Sequence, residues 1–377
     1  MEIKKYSEVV VVGANHYNTL WVVRSLGMAG FKPTVVIVGS KVERSFVCKS
    51  RYCKQCFSVY NSKELIESLL HFKFSQKTVV LTMADIFAKW LDDNYDLLSA
   101  KYYLCNSNNK QGEVSFWMDK EQQLAVAQRS GLSVPYSEKY NLLQENDYSK
   151  VQYPVLIKPE IATEASKDAF RICHNAKELK CALHEVKNMC ANVLIQEYIK
   201  HEHEYLMYGA SLGEDIIIPG GDFKLMTCSD VNNMGMQVFG YVSAKHPAQF
   251  KDIEAVKQMV RNMKYEGLFS VELMLTKDKY YFLEINMRND GLSYMTTQAG
   301  VNLPAIWAAY CYGYDLSKFP TSFKRDKTYG MNEVNYFKYG LKRVSFFETI
   351  GNFLKAKAFS LYKFGDFKPL VYKIIYH

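Results

Sequence analysis

Two carboxylates, an amide and an arginine offer the most chemistry in this sequence, and they fall within one stretch. In Phe269–Gly291 (FSVELMLTKDKYYFLEINMRNDG) two extended runs flank Thr276–Lys279. Phe269, Val271, Leu273 and Leu275 alternate with Ser270, Glu272 and Met274, the period of a strand. The second run, Tyr280–Asn286, places Tyr281, Leu283 and Ile285 on one face. Glu284, Asn286 and, one step further, Arg288 fall on the other. A three-residue turn at Lys277–Lys279 pairs Thr276 with Tyr280 and hence Glu272 with Glu284, whose Cβ atoms then lie roughly 4.5–5.5 Å apart. Carboxylates that close repel each other unless a cation sits between them. Glu272, Glu284 and the Asn286 carbonyl are the hard oxygen ligands that Mg²⁺ takes when it also holds phosphates, and Mn²⁺ accepts the same set. Arg288 would meet an anion bound to that metal. An exposed hairpin with charges turned to water has the same composition, so the rest of the chain decides.

The chain of 377 residues is long enough for two or three domains with a real core. No apolar run is long enough to span a bilayer. Acidic Glu8 precedes a short apolar run that reads as a strand rather than a signal peptide, and a cytoplasmic location is expected. The nine cysteines are scattered. Cys48, Cys53 and Cys56 have the C-x4-C-x2-C spacing of some iron–sulfur sites, but no fourth ligand accompanies them and reduced thiols are expected. Net charge is +8, and from Lys324 onward eleven basic residues face four acidic ones, so the tail holds nearly all of the excess.

The N-terminal pattern is α/β. Residues 8–13 (EVVVVG) read as a buried strand, Leu20–Ala29 as a helix closed by Gly30, and Thr34–Val38 as a second strand. This opens a parallel sheet, in which ligands sit beyond the carboxyl ends of strands. The loop after the first strand lacks GxGxxG, which argues against a dinucleotide, and His16 in it is either a substrate contact or a helix-start residue. Further on, Trp117–Ser130 reads as an amphipathic helix with Lys120 in its first turn, where a lysine opposes the helix dipole unless an anion is near. Lys158 ends the apolar strand of YPVLIKP and can be presented from a rigid sheet as a point charge for phosphate. Val193–Ile199 is a strand, and Glu204 resumes the extended pattern after a break at Lys200–His203.

In this order the pieces resemble the ATP-grasp superfamily of carboxylate–amine ligases over roughly residues 8–313. The resemblance rests on Asp119-Lys120, on Val155–Pro159 (VLIKP), on QEYI with Glu204 seven residues after Glu197, and on VE followed by LEINMR. It implies an α/β ATP-grasp fold with a Rossmann-like domain over residues 1–113 and an ATP-grasp domain over 114–313. The latter would comprise a lid at about 136–200 and a metal-binding part at about 201–313, followed by a basic, aromatic, helical extension over 314–377. It implies ATP and Mg²⁺ (or Mn²⁺) as cofactors. Lys120 and Lys158 would hold the phosphates. Glu197, Tyr198 and Ile199 would form the hinge that reads adenine, and Glu204 would bind the ribose. Glu272, Glu284 and Asn286 would bind the metal, Arg288 would steady an acyl phosphate, and Lys224 would be a further phosphate or substrate contact. The substrates implied are a small or carrier-linked carboxylate and an amine, with no nucleic acid, and a homodimer is compatible.

Ser50–Cys53 and the GGDFKLM stretch resemble the D-aspartate ligase and carbamoyl-phosphate-synthase-like group, which implies cell-wall or surface-polysaccharide metabolism. Two features depart from the superfamily pattern: Glu160–Ala169 carries no glycine where a glycine-rich phosphate loop is usual, with Ser166 and Lys167 as side-chain substitutes, and Met287 stands where proline is common. The tail fits peripheral contact with a membrane or an anionic lipid-linked precursor, or a solvated extension packed on the core. Two rival readings are a polyanion- or nucleic-acid-binding protein acting through the tail, and a catalytically silent ATP-binding module. Candidate substrate contacts are His16, Arg288 and Ser293.

Overall fold

The computed structural model describes residues 7–160, 169–229 and 235–376. The run Val9–Val12 has no polar face, and it folds into a strand buried on both sides. Strands β1 (Glu8–Ala14), β2 (Lys32–Val38), β3 (Gln55–Val59), β4 (Thr78–Thr82) and β5 (Tyr102–Leu104) form a parallel sheet in the order β3-β2-β1-β4-β5. Helices α1 (Tyr17–Met28), α2 (Ser62–His71) and α3 (Asp85–Asp92) cross between them. The His16 ring caps α1 by accepting the Asn18 N–H, and Asn61 caps α2 by accepting that of Glu64. The starts of α1 and α3 follow β1 and β4, so His16 and Asp85 share the carboxyl edge of the sheet.

The helix expected over Trp117–Ser130 is interrupted. Trp117 closes a short helix from Glu113, and the chain restarts as α4 (Lys120–Arg129) with Asp119 accepting the Gln122 N–H at 3.0 Å. An aspartate satisfies the free donors of a new helix better than it continues an old one.

A four-stranded antiparallel sheet follows: β6 (Ser137–Asn141), β7 (Val155–Pro159), β8 (Arg171–Cys173) and β9 (Asn192–Glu197), in the order β6-β9-β7-β8. Helix α5 (Ala176–Val186) packs on it through Leu179, Leu183 and Val186. Most of the glycine-free stretch, with Ser166 and Lys167, lies outside the described residues.

The large sheet takes β10 (His203–Leu212), β11 (Gly221–Thr227), β12 (Gln237–Ser243), β13 (Tyr265–Leu275) and β14 (Tyr280–Asn286), with helix α6 (Ile253–Asn262) before β13. After helices α7 (Ser293–Ala299) and α8 (Leu303–Cys311) the chain adds β15 (Thr328–Met331), helix α9 (Phe346–Lys355), β16 (Ala356–Phe359) and helix α10 (Lys368–Tyr376). The order is β14-β13-β10-β11-β12-β15-β16. The C-terminal region is therefore helical as expected, and it also extends the sheet by two short strands. It is fastened to helix α1 by a buried ion pair, Arg24 Nε to Asp366 Oδ2 at 2.9 Å.

The hairpin β13–β14 has the expected pairing by an unexpected route. Leu275 lies opposite Tyr280, so the turn holds four residues, Thr276–Lys279. A bulge at Leu283 then restores the register, and Glu272 faces Glu284. The bulge reverses the parity of the outer half of β14. Tyr280, Phe282 and Ile285 enter the core, while Tyr281 and Leu283, expected with Ile285, do not.

Candidate active site

The bulge sets the floor of a cleft of about 820 Å³ between the four-stranded sheet and the large sheet. Leu283 and Glu284, the two residues opposite Glu272, both line it, as do Glu272, Met274 and Asn286. Asn286 Nδ2 lies 3.4 Å from Glu272 Oε1, and its Oδ1 accepts from Arg288 Nη2 at 3.3 Å. The facing wall is cationic. Lys158 projects from β7 and donates to Gln196 Oε1 on neighbouring β9 at 3.0 Å. Lys120, in the first turn of α4, places its ammonium 5.2 Å from the centre of the Phe170 ring. Glu197, Tyr198 and Ile199 line the same cleft where β9 leaves the sheet. There the Glu197 N–H donates to Tyr136 O and the Tyr198 N–H to Pro154 O. Glu204 and Lys224, on adjacent strands β10 and β11, form an ion pair at the cleft's edge. The eleven residues expected to serve nucleotide, metal and acyl phosphate thus line one cleft, whereas His16 and Ser293 do not.

Arg288 is not free to swing. Its guanidinium forks onto Asp85 of α3, Nε to Oδ1 at 2.7 Å and Nη2 to Oδ2 at 3.1 Å. This bidentate pair joins the hairpin to the first sheet. Asp85 was legible only as a helix start, yet its place just beyond the carboxyl end of β4 was the available signal. Asp290, also unremarked in the sequence, lies 3.6 Å from Arg288 Nη1.

A second, smaller cleft of about 270 Å³ adjoins the first and shares Lys224, Met236 and Arg288 with it. His16, Trp21, Gln237, Asp290, Met331 and Asn332 are among its walls. His16 is held below the ordinary histidine range by burial. Ser293, expected as a substrate contact, is instead buried with its hydroxyl donating to Asn289 Oδ1 at 2.9 Å.

The electrostatics follow from burial and proximity. Burial, then the Lys120 charge, lowers Lys158 to about 7, with Glu284 opposing. Burial, then Glu284 and Asp290, pushes Glu272 up to about 8. Burial works against the Lys224 ammonium, but Glu204 beside it holds it above the ordinary lysine range. Two facing carboxylates, one of them strained towards protonation, and an amide that offers oxygen when turned over make a donor set of oxygens only. That set fits a hard divalent cation such as Mg²⁺. Among the described residues, three metal-capable groups also converge at Asp119, Glu121 and Glu160, where Lys139 pairs with Glu160 and lies 3.8 Å from Glu121.

Residues 245–334 match the family model described as ATP-grasp in the biosynthetic pathway with Ter operon. A formate-dependent phosphoribosylglycinamide formyltransferase from Wolinella succinogenes is 22% identical over 160 residues, which are 40% of this chain and 38% of that protein's length. An N5-carboxyaminoimidazole synthetase from Staphylococcus aureus superposes with a TM-score of 0.67 at 13% identity, over 91% of this chain and 88% of that one. An L-amino acid ligase from Bacillus licheniformis superposes at 0.60 and 15% identity, over 84% and 77%.

Proposed function

We propose, from the premise that this chain has the ATP-grasp fold, that it is an ADP-forming ligase joining a carboxylate to an amine. The observation that carries this reading is the facing of Lys120 and Lys158 against Glu272, Glu284 and Asn286 across one cleft. A carboxylate and a triphosphate are both anionic, so the barrier to their reaction is largely electrostatic. Lys120 and Lys158 would draw the phosphates to the cationic wall, and Glu204 would meet the ribose once released from Lys224. Glu197, Tyr198 and Ile199 would seat the base. Mg²⁺, held by Glu272, Glu284 and Asn286, would neutralise the phosphate oxygens during transfer.

The substrate carboxylate oxygen attacks the γ-phosphorus, the bond to the bridging oxygen breaks, and ADP leaves. The amine nitrogen then attacks the acyl carbon, phosphate leaves, and the nitrogen loses a proton. Arg288, fixed by Asp85, would steady the acyl phosphate, and no serine or cysteine nucleophile is needed. The smaller cleft, beside Arg288 and Lys224, would take the acceptor. The cytoplasm and cell-wall or surface-polysaccharide metabolism complete this reading, the latter on the strength of Ser50–Cys53 and Gly220–Met226.

The test is ADP release with Mg-ATP against a panel of amino acids and small carboxylates, beside Glu284→Gln. Stimulation by one acid, abolished in the variant, is the expected result. Nucleotide binding with no stimulated turnover by any small or carrier-linked acid would overturn the ligase reading and leave a silent nucleotide-binding module.

A further inference from the structure

Helix α9 turns Phe353 onto the core but leaves its other large apolar residues outside. A helix on a soluble protein normally buries its apolar stripe and exposes its polar one. Here Thr349 and Asn352 are the buried residues, and Asn352 Nδ2 donates to the Tyr336 hydroxyl at 2.9 Å. Phe346, Phe347 and Leu354 are 73%, 83% and 73% exposed, with Ile350 between them at 43%. The spacing i, i+1, i+4, i+8 places these four on one outward stripe.

The stripe belongs to a larger face. Phe353 meets the tilted ring of Phe337 at 5.6 Å and stacks on Phe359 at 6.2 Å, and the contacts continue through Tyr362, Phe367 and Phe364 at 5.6, 5.8 and 6.0 Å. A band of rings thus runs from the segment before α9 to the one before α10. Exposed apolar residues along it are followed directly by exposed lysines: Phe337–Lys338, Leu341–Lys342, Leu354–Lys355 and Phe367–Lys368. From residue 336 to 376 the acids are Glu348 and Asp366, and Asp366 is buried on Arg24.

We propose that this face docks on an anionic lipid bilayer, with α9 lying in the headgroup plane. Apolar side chains enter the acyl boundary while each adjacent lysine, on its flexible stem, reaches back to a phosphate. The aliphatic members, Leu341, Ile350 and Leu354, suit acyl chains and give a stacked nucleic-acid base nothing to stack on. A two-fold interface with a second copy would set the same lysine rim against itself. No helix among the described residues is long and apolar enough to cross a membrane. Met331 and Asn332, just before this segment, and Ser360 within it wall the smaller cleft. On the ligase reading, an acceptor carried on a lipid would therefore be met at the bilayer surface.

The experiment is co-sedimentation of the full chain with vesicles of phosphatidylcholine alone and with about one-third phosphatidylglycerol added. Binding to the anionic vesicles should exceed that to the neutral ones by ~10-fold or more and weaken with salt. The double variant Phe346→Ser, Phe347→Ser and the double variant Lys338→Glu, Lys355→Glu should each lose ~10-fold, with nucleotide binding unchanged as the measure of folding. Sedimentation with neither vesicle, or undiminished binding by both variants, overturns the proposal. So does a vesicle-free dimer, or retention on single-stranded nucleic acid without vesicle binding, that the phenylalanine variant abolishes. Vesicle binding is read without turnover, so a chain that docks but releases no ADP overturns the ligase reading alone.

Discussion

Two groups of buried charge in this protein are built on opposite terms. At Arg24–Asp366 every charge is answered. Asp366 accepts from Arg24 Nε, from Ser50 Oγ and from the Arg51 N–H, and Arg24 Nη2 donates to Leu361 O at 2.6 Å. Glu333 nearby takes three backbone N–H groups, from Ser360, Leu361 and Tyr362. In the cleft Arg288 and Lys224 are paired, but Lys158 and Glu272 are left half-answered. Among the described residues Lys158 has one hydrogen bond, to Gln196, and Glu272 has one, from Asn286. Both are displaced from their ordinary protonation, Lys158 downward and Glu272 upward, chiefly by burial. Displaced protonation does not by itself separate the groups, since burial raises Glu333 as well; what separates them is that the charges fastening the fold have their hydrogen bonds filled, whereas Lys158 and Glu272 keep unfilled bonding capacity.

The contrast can be broken most forcefully at the saturated site. Arg24→Ala leaves Asp366 buried without its cation and should cost about 3–5 kcal/mol of stability, read as a drop in denaturation midpoint. Glu284→Gln should do the reverse: thermal stability held or raised by removal of a like charge, but turnover reduced by ~10²–10³. Equal losses of stability in the two variants would erase the distinction. Asp85→Asn tests a residue that positions rather than reacts. It loosens the Arg288 fork, and a fall in turnover of ~10–100-fold is expected with nucleotide affinity unchanged. The smallest effect is in pH. Lys158 is an ammonium below about 7 and loses that charge above it in the empty cleft, so metal-free nucleotide binding should weaken as pH rises through that value. Its ordinary value is 10.5, so between about 7 and 10.5 the unfolded chain holds a proton that the native chain does not. Stability from this group therefore rises with pH across that window, and Lys158→Met should flatten both profiles.

What the sequence made legible follows the same division. Lys158, Glu272 and Glu284 were readable because they are charges set in apolar strands: Lys158 closes VLIK, and Glu272 and Glu284 fall on the polar side of a regular alternation. The parallel sheet was readable from Val9–Val12 and the helix that follows. The fastening of the C-terminal region was not, because its strands are four residues each and their partners lie far away in sequence. Arg24 and Asp366 are 342 positions apart, and neither stands out among its neighbours. Asp85 was hidden for the same reason, since a helix-start aspartate and an arginine's partner look identical until the two sheets are set together. The roles of the cleft residues rest on the proposal above.

The bulge at Leu283 has a further consequence. Strict alternation forbids two adjacent residues of a strand from sharing one face, so a regular ladder could give the cleft either an apolar contact or a carboxylate at this point. The extra residue gives it both, side by side. Leu283 is thus a length change that alters the cleft surface without moving the charge beside it: removing it would leave Glu272 opposite Glu284 and take away the apolar contact next to that carboxylate. In an alignment such a residue would appear as a single-position gap inside a strand. There, a gap marks a change in the cleft wall rather than in a loop.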